Sequence, residues 1–363
     1  MRIHAELKKL LKRILFGLNI IAALALLIAY ASVIINPEKI AFPAFFGLAY
    51  PYLLLVNIIF IIIWAINFKR EVFISIIVIA LGYTHFNNFI RFWNKDTGDH
   101  DFSLMSYNIR LFNHYDTESN SEKDIINYLK SNTPEILCLQ EFYHNGPVST
   151  VYRRFAEPVN KGYNVHRKFI RIRNDRHYGI ATFTTYPVIA RGDILHPNSA
   201  SLSIYTDIVI DSDTVRIYNN HLQSFKLRSM ERSLIEEIYA NDEDDTMKEL
   251  RDLSFSLKQG FARRAHQAKV LKEHINASPY PVIVCGDFND TPISYTYRKI
   301  RKGLKDAFVE SGSGAGFTYK GKYPSNRIDY ILFDKNIISN GYTTDRVKFS
   351  DHYPITAYFK ISD

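Results

Sequence analysis

The sequence predicts an α/β domain carried behind a membrane-spanning N-terminal region. Three observations predict it. Uncharged apolar runs crowd the first 90 residues, while short apolar strands with turn signals and a few helices fill the rest. Acidic residues, Asn and His recur at the ends of those strands, where a rigid sheet aims side chains from several segments at one point.

Composition sets the outer bounds. A chain of 363 residues that is 47% hydrophobic and 23% charged excludes a disordered or collagen-like polymer. Two cysteines, Cys138 and Cys285, exclude a disulfide scaffold and lack zinc-ligand spacing. Both sit in apolar strands and read as inert buried thiols. The net charge of +8 invites a nucleic-acid partner until it is located. The first 100 residues hold ten Lys/Arg against five Asp/Glu, leaving 35 against 32 for the remainder. Most of the excess therefore flanks apolar runs, where cations are topology signals.

The N-terminal region, residues 1–93, contains three such runs. Residues 14–35 are long enough to cross a bilayer and too long for a signal-peptide core. The run 41–68 has Pro43 and Pro51 near its start and Trp64 near its end. The third, 72–90, ends in His85, Asn87 and Asn88, so either a third span or an interfacial helix fits it. Lys8, Lys9, Lys12 and Arg13 place the N-terminus in the cytoplasm, and three spans put the following domain outside; two would leave it inside.

Residues 94–101 (NKDTGDHD) form a polar linker to a domain over 102–363. Strands are expected at 102–110, 136–140, 179–183, 187–190, 204–210, 215–219, 281–285, 328–333 and 355–359, with a helix at 121–131. Asp211 to Thr214 marks a hairpin. The charged stretch 225–274, with its acidic run Asp242 to Asp245, reads as a surface helical excursion or a lid. Gly312, Gly314 and Gly316 lack the continuation of a P-loop and read as a flexible approach to the strand at 328.

The strand ends supply the chemistry. Glu141, Asn108 and Asp351 are hard oxygen donors suited to Mg²⁺ or Mn²⁺. Zinc is disfavoured, since no HExxH and no histidine pair at ligand spacing occurs. His352 is the natural base for a water nucleophile, and Asp329 can fix its tautomer. Asp287 can hold the water, Asn289 can bond a phosphoryl oxygen, and His221 can protonate a leaving group or stabilise pentavalent phosphorus. The assembled chemistry is metal-assisted phosphoester hydrolysis. Arg171, Arg173, Arg176 and His177 form a basic cluster that either grips a phosphate-bearing substrate, with Arg173 and Arg176 as the contacts, or is solvated.

The blocks SYNIR (106–110), LQEF (139–142), YGIATFTTYPV (178–188), NNHLQS (219–224), GDFND (286–290), RIDYIL (327–332) and SDHYPI (350–355) occur in one order over about 250 residues. Together they resemble the endonuclease/exonuclease/phosphatase superfamily, the DNase I-like fold. The resemblance implies a four-layer α/β/β/α sandwich, a divalent metal at Glu141 with help from Asn108, and an Asp329–His352 pair. It further implies phosphate and water positioning by Asp287 and Asn289, with His221 as the second histidine. It offers no carboxylate partner for His221 and no catalytic residue from 178–188.

With N-terminal spans, the sequence is similar to membrane-anchored bacterial members, which implies an inner-membrane protein with a periplasmic or extracellular domain. The expected partners are the bilayer and a phosphoester substrate, nucleic acid or phospholipid-like; no protein partner is inferred. The fold also serves sphingolipid-type phosphodiesterases, so it does not select the substrate. A non-catalytic receptor reusing the fold would lack a residue of the set, and none is missing.

Overall fold

A computed structural model of the chain describes all residues except 1, 94–97, 114–120, 152–154, 156, 158–161, 172–175, 197–200, 226–242, 322–325 and 362–363. Helix α1 (Arg2–Ala31) opens the chain, and its stretch Glu6–Ala31 is long and apolar enough to cross a membrane. Ala22, Ala23, Leu26 and Ala29 are buried along one side, while Leu18, Ile21 and Leu24 stay exposed. That division is the 3.6-residue period of a helix packed on one face, with small residues where backbones approach.

The run expected at 41–68 is two helices, α2 (Phe42–Leu48) and α3 (Tyr50–Ile66), bent by 69°. Each carries its proline in the first turn, so Pro51 starts a new helix instead of interrupting one. The run expected at 72–90 is not one helix either. Helix α4 (Val72–Leu81) stops at Gly82, α5 (Tyr83–Asn87) adds a single polar turn, and strand β1 (Ile90–Arg91) follows. Ten residues rise about 15 Å, half of a hydrocarbon core of roughly 30 Å. Lys12 and Glu71 pair at one end of this bundle (Nζ–Oε1 2.8 Å), away from the C-terminal domain.

That domain is built of two stacked sheets. In chain order the strands are β2 (Phe102–Asn108), β3 (Ile136–Asn145), β4 (Asn164–Arg171), β5 (Arg176–Thr184), β6 (Val188–Ile194), β7 (Leu202–Ile210) and β8 (Asp213–His221). They continue with β9 (Val282–Asp287), β10 (Leu304–Asp306), β11 (Gly314–Ala315), β12 (Asp329–Asp334), β13 (Ile337–Thr344) and β14 (Ile355–Ile361). One sheet runs β10-β12-β9-β8-β7-β6 and the other β13-β14-β2-β3-β5-β4. Alternation along each strand divides the core. Phe102, Leu104, Ile136 and Cys138 face Ile208, Ile217, Ile283 and Cys285 across the sandwich. Their neighbours Met105, Tyr107, Leu137 and Leu139 turn outward onto α6 (Ser121–Ser131). On the opposite face Tyr218, Val284 and Leu332 meet α7 (Glu243–Asn276) and α8 (Tyr295–Arg301). The layer order is α/β/β/α.

Three local expectations change. The hairpin turn is only Asp211-Ser212, because Ile210 pairs with Asp213 and Asp211 takes a left-handed φ of 52°. The stretch after 242 is no solvated excursion along its whole length. Phe261, Arg264, Ala265, Ala268 and Leu271 are buried, so the second half of α7 is a core layer. The side chains of the acidic run Asp242 to Asp245 lie outside the described residues, as do residues 94–97 of the expected linker. Gly314 is no free approach loop either: it pairs with Arg91 in the β1–β11 ribbon.

This ribbon belongs to a seam between the helices and the sandwich. Ser32 Oγ donates to the Ile293 carbonyl (2.8 Å), buried Arg327 donates to the Asn88 carbonyl (3.0 Å), and Phe45 meets Phe261 edge to face. Gly47 is required there, since a Cβ would stand 2.4 Å from both the Ile293 carbonyl oxygen and Ser32 Oγ. The two parts are bolted together.

Candidate active site

Parallel pairs β2/β3 and β8/β9 bring strand ends from both sheets to one rim. Asn108 pairs opposite Gln140, and His221 opposite Asp287. Antiparallel β12 sets Asp329 directly across from Asp287. Gly286, at φ 127°, lets β9 approach β8, where a Cβ would fall 2.0 Å from the Asn220 carbonyl oxygen. A bulge in β3 between Leu139 and Phe142 puts Glu141 at φ 50° and aims it at the rim; the strand then continues to Asn145.

Seven of the expected residues meet there. His352 Nδ1 lies 2.9 and 3.1 Å from the two oxygens of Asp329. Its Nε2 faces Asp287 Oδ2 at 3.8 Å. Asn108 Nδ2 donates to Asp287 Oδ2 (2.9 Å) and approaches Glu141 Oε1 (3.5 Å). Asn289, left-handed at φ 52°, donates its backbone N–H to Asp287 Oδ1 (2.8 Å) and its Nδ2 to Asp287 Oδ2 (3.2 Å). His221 Nε2 stands 3.7 Å from Glu141 Oε1 and 3.8 Å from Asp287 Oδ2, buried and without a hydrogen-bond partner.

Burial and neighbouring charge shape the protonation states. Asp287 is pushed up to about 6 by burial and by Asp329, against the pull of His352, His221 and the Asn289 N–H. Burial opposes the charge on His352, but Asp329 and Asp287 outweigh it and hold the imidazolium up to about 10.

The buried oxygens of Glu141 and Asp287, both turned to Asn108 at the rim, suit a hard divalent cation. The ligand atoms of Asp287, Asp329 and His352 also lie within 4.8 Å of one another. Because Asp329 is committed to His352 Nδ1, that trio reads better as a proton-handling unit with Asp287 beside it. Asn108 turns its amide nitrogen to the carboxylates, and its Oδ1 accepts from the Arg110 N–H (3.0 Å). Asp351 faces Arg110 Nε (3.3 Å) and Ser350 Oγ (3.5 Å). Arg110 reaches it from a turn of four consecutive left-handed residues, Arg110 to Asn113.

Arg173 lies outside the described residues. Arg176 opens β5 at an exposed position and shares a strand face with Tyr178. Tyr178 is the residue sequence reasoning passed over: its hydroxyl lies 2.9 Å from His221 Nδ1, where no carboxylate partner was found. It sits in the quoted block 178–188, which reads as strand core. Arg264 was missed too. Fully buried, it donates Nε to Asp290 Oδ2 (3.1 Å) and Nη1 to the Gln223 carbonyl (2.8 Å), bracing the loops that hold Asn289 and His221. Ser350 Oγ donates to the Asn108 carbonyl (2.8 Å) and accepts from the His352 N–H (3.2 Å), tying β2 to the His352 loop.

Comparison with known proteins adds four findings. Residues 12–89 match a domain of unknown function. No curated protein matches the chain. Solved structures with the same fold include an endonuclease/exonuclease/phosphatase from Beutenbergia cavernae, at 14% identity and TM-score 0.53, covering 73% of this chain and 72% of that one. The human Nocturnin catalytic domain with bound sulfate is 17% identical with TM-score 0.51, covering 72% and 93%. TDP2 of D. rerio complexed with a single-strand DNA product is 16% identical with TM-score 0.52, covering 71% and 98%. Residues 105–352, which span every strand end of the rim, match the model of the Endonuclease/Exonuclease/phosphatase family, and the chain belongs to that family.

Proposed function

We propose that the chain is a membrane-anchored, divalent-metal-dependent phosphoesterase that cleaves by in-line attack of water. The observation that carries this reading is the pair of histidines on either side of Asp287, whose Nδ1 partners are opposite in character. A carboxylate at Nδ1 of His352 demands N–H there and leaves Nε2 to take a proton from water. A phenol at Nδ1 of His221 can donate, which puts the proton on Nε2, facing Glu141 and Asp287. His352 is then the base and His221 the acid or charge stabiliser. Asp287 holds the water between them, and Asn289 Nδ2, which donates to the Leu222 carbonyl (3.0 Å) and to Asp287, would turn the second of these hydrogens to a phosphoryl oxygen. Glu141, with Asn108 after its amide turns and Asp351 at the rim, would hold Mg²⁺ or Mn²⁺. Bound there, such an ion would supply charge neutralisation at phosphorus and, by offsetting Asp287 and Asp351, would lower the pH at which His352 becomes a base.

Placing the catalytic domain outside a bacterial inner membrane requires α4 and the turn after it to complete a third crossing, which α4 alone, at half a hydrocarbon core, does not span. Lys12, Lys69, Arg70 and Glu71 gather at the end of the bundle opposite the seam, in keeping with the positive-inside rule. A phospholipid-like phosphodiester is the second substrate reading beside nucleic acid, favoured by the seam that keeps the site close to the bilayer. The test uses the full chain in detergent with Mg²⁺ or EDTA on plasmid DNA, RNA, a chromogenic phosphodiester and phospholipid vesicles. Turnover is expected on one class, abolished by EDTA. Turnover that survives EDTA would sink the metal. A periplasmic reporter fused after Asp363 is expected to be active, and a cytoplasmic readout would reverse the topology.

A further inference from the structure

A second polar centre lies at the seam. A cavity of about 1010 Å³ opens between the outer ends of α1 and α5 and the last turn of α8. Among the described residues five cations line it, Arg91, Arg298, Lys299, Arg301 and Lys302, and no Asp or Glu does. The buried carboxylate behind it, Asp306, is already taken by Arg327 (2.5 Å) and the Tyr297 hydroxyl (2.7 Å). Arg301 Nη1 is pre-set by Asn88 Oδ1 and the Tyr297 hydroxyl, each at 2.8 Å. Arg91 Nε is enclosed with no hydrogen-bond partner.

The bland account is that cations in the last turn of α8 complement its dipole. That accounts for one or two charges at the end of a seven-residue helix, its C-cap Lys302 included, and it leaves Arg91, from another element, unexplained. The field at the cavity is positive enough to act on a neighbour: burial lowers the Lys272 pKa, and Lys302 and Lys299 lower it further. Like charges held together on both sides of a seam need an anion to offset their repulsion. The cavity also has an apolar wall. Tyr30 and Ile34, the latter two-thirds exposed, continue it onto the outer flank of α1.

We propose that this cavity binds a phosphate group, supplied by the headgroup of an anionic phospholipid in the leaflet beside the catalytic domain. Arg298, Lys299 and Lys302 ring the phosphate while acyl chains run down past Ile34 along α1. The site is separate from the rim, since none of its histidines or carboxylates lines the cavity. The lipid source rests on the reading of the N-terminal helices as bilayer-embedded; the phosphate chemistry does not.

The test is binding, run on the full chain carrying His352→Ala in EDTA so that turnover cannot consume the probe. Native mass spectrometry from detergent compares retention of phosphatidylglycerol, phosphatidylcholine and inorganic phosphate. Phosphatidylglycerol is expected to bind at least tenfold more tightly than phosphatidylcholine. The Arg298→Gln/Lys299→Gln/Lys302→Gln variant is expected to lose on the order of a hundredfold in that affinity. Equal retention of the two lipids, or unchanged retention in the variant, would overturn the proposal. Inorganic phosphate that displaces the lipid while binding as tightly alone would overturn the lipid source. If the triple variant does not fold, the lipid preference of the parent chain and exposed Lys302→Gln decide the matter.

Discussion

Two buried polar networks in this molecule differ in whether they are closed. In the helical region Asn19 Nδ2 donates to Ser75 Oγ (2.7 Å), Ser75 Oγ to Asn57 Oδ1 (3.0 Å), and Trp64 Nε1 to Asn19 Oδ1 (2.9 Å). Asn57 Nδ2 finishes on the carbonyls of Ala22 (3.1 Å) and Leu53 (2.9 Å). Every member is neutral, and the ring joins α1, α3 and α4. At the rim the members carry charge, and the network is open: His221 Nε2 is unpartnered and His352 Nε2 stands 3.8 Å from Asp287. A closed neutral network fixes one arrangement of three helices. An open charged one stores the capacity to take up a proton, a phosphate or a cation.

The largest test of this contrast is His352→Ala, expected to lower kcat about a thousandfold on the responding substrate while leaving the fold intact. Loss of less than tenfold would break the assignment of the base. Next comes Asp329→Asn, expected to cost roughly a hundredfold by releasing the tautomer of His352. The same variant alters the pH dependence of stability. The folded value of about 10 lies above the ordinary 6.5, so this group's contribution is full below about 6.5 and is lost as pH rises through 10. Thermal melting in EDTA from pH 6 to 10.5 is expected to slope downward in the parent chain and more shallowly in Asp329→Asn. Equal slopes would detach His352 from Asp329.

Tyr178→Phe is expected to lower kcat about tenfold, with a poor leaving group affected more than a good one, because the hydroxyl that faces His221 Nδ1 is lost. An equal effect on both leaving groups would remove the acid role. The smallest effect belongs to the closed network. Asn19→Leu strands Trp64 Nε1 and is expected to cost about 1 kcal/mol of bundle stability in detergent with kcat within twofold. A large loss of kcat there would mean that the two networks are coupled.

Much of the sandwich was legible because its signals are local. Asn108, Glu141 and Asp287 announce themselves as polar residues closing apolar runs and Asp329 as one opening such a run, and the run order gives the layers. What stayed hidden depends on pairing across the chain. Tyr178 reads as one more aromatic in a strand until β5 is set against β8. Nothing around Gly314 or Arg91 says that they pair. The length of 72–90 misleads because hydropathy counts residues that the chain spends on a turn and a strand. Asn19, Asn57 and Ser75 look like isolated flaws in apolar runs, and only packing turns them into a ring.

The bond between Ser32 and Ile293 has a consequence for how the molecule is made. Its partners are 261 residues apart, so α1 leaves the ribosome long before the residue that its outer end meets has been made. At 5–20 residues per second that interval is roughly ten to fifty seconds. Throughout it, Gly47 and the top of α1 have no sandwich to rest on. The ring of Asn19, Asn57 and Ser75 can assemble within the first eighty residues. The bundle can therefore be set by its own amides before the domain that docks on it is complete.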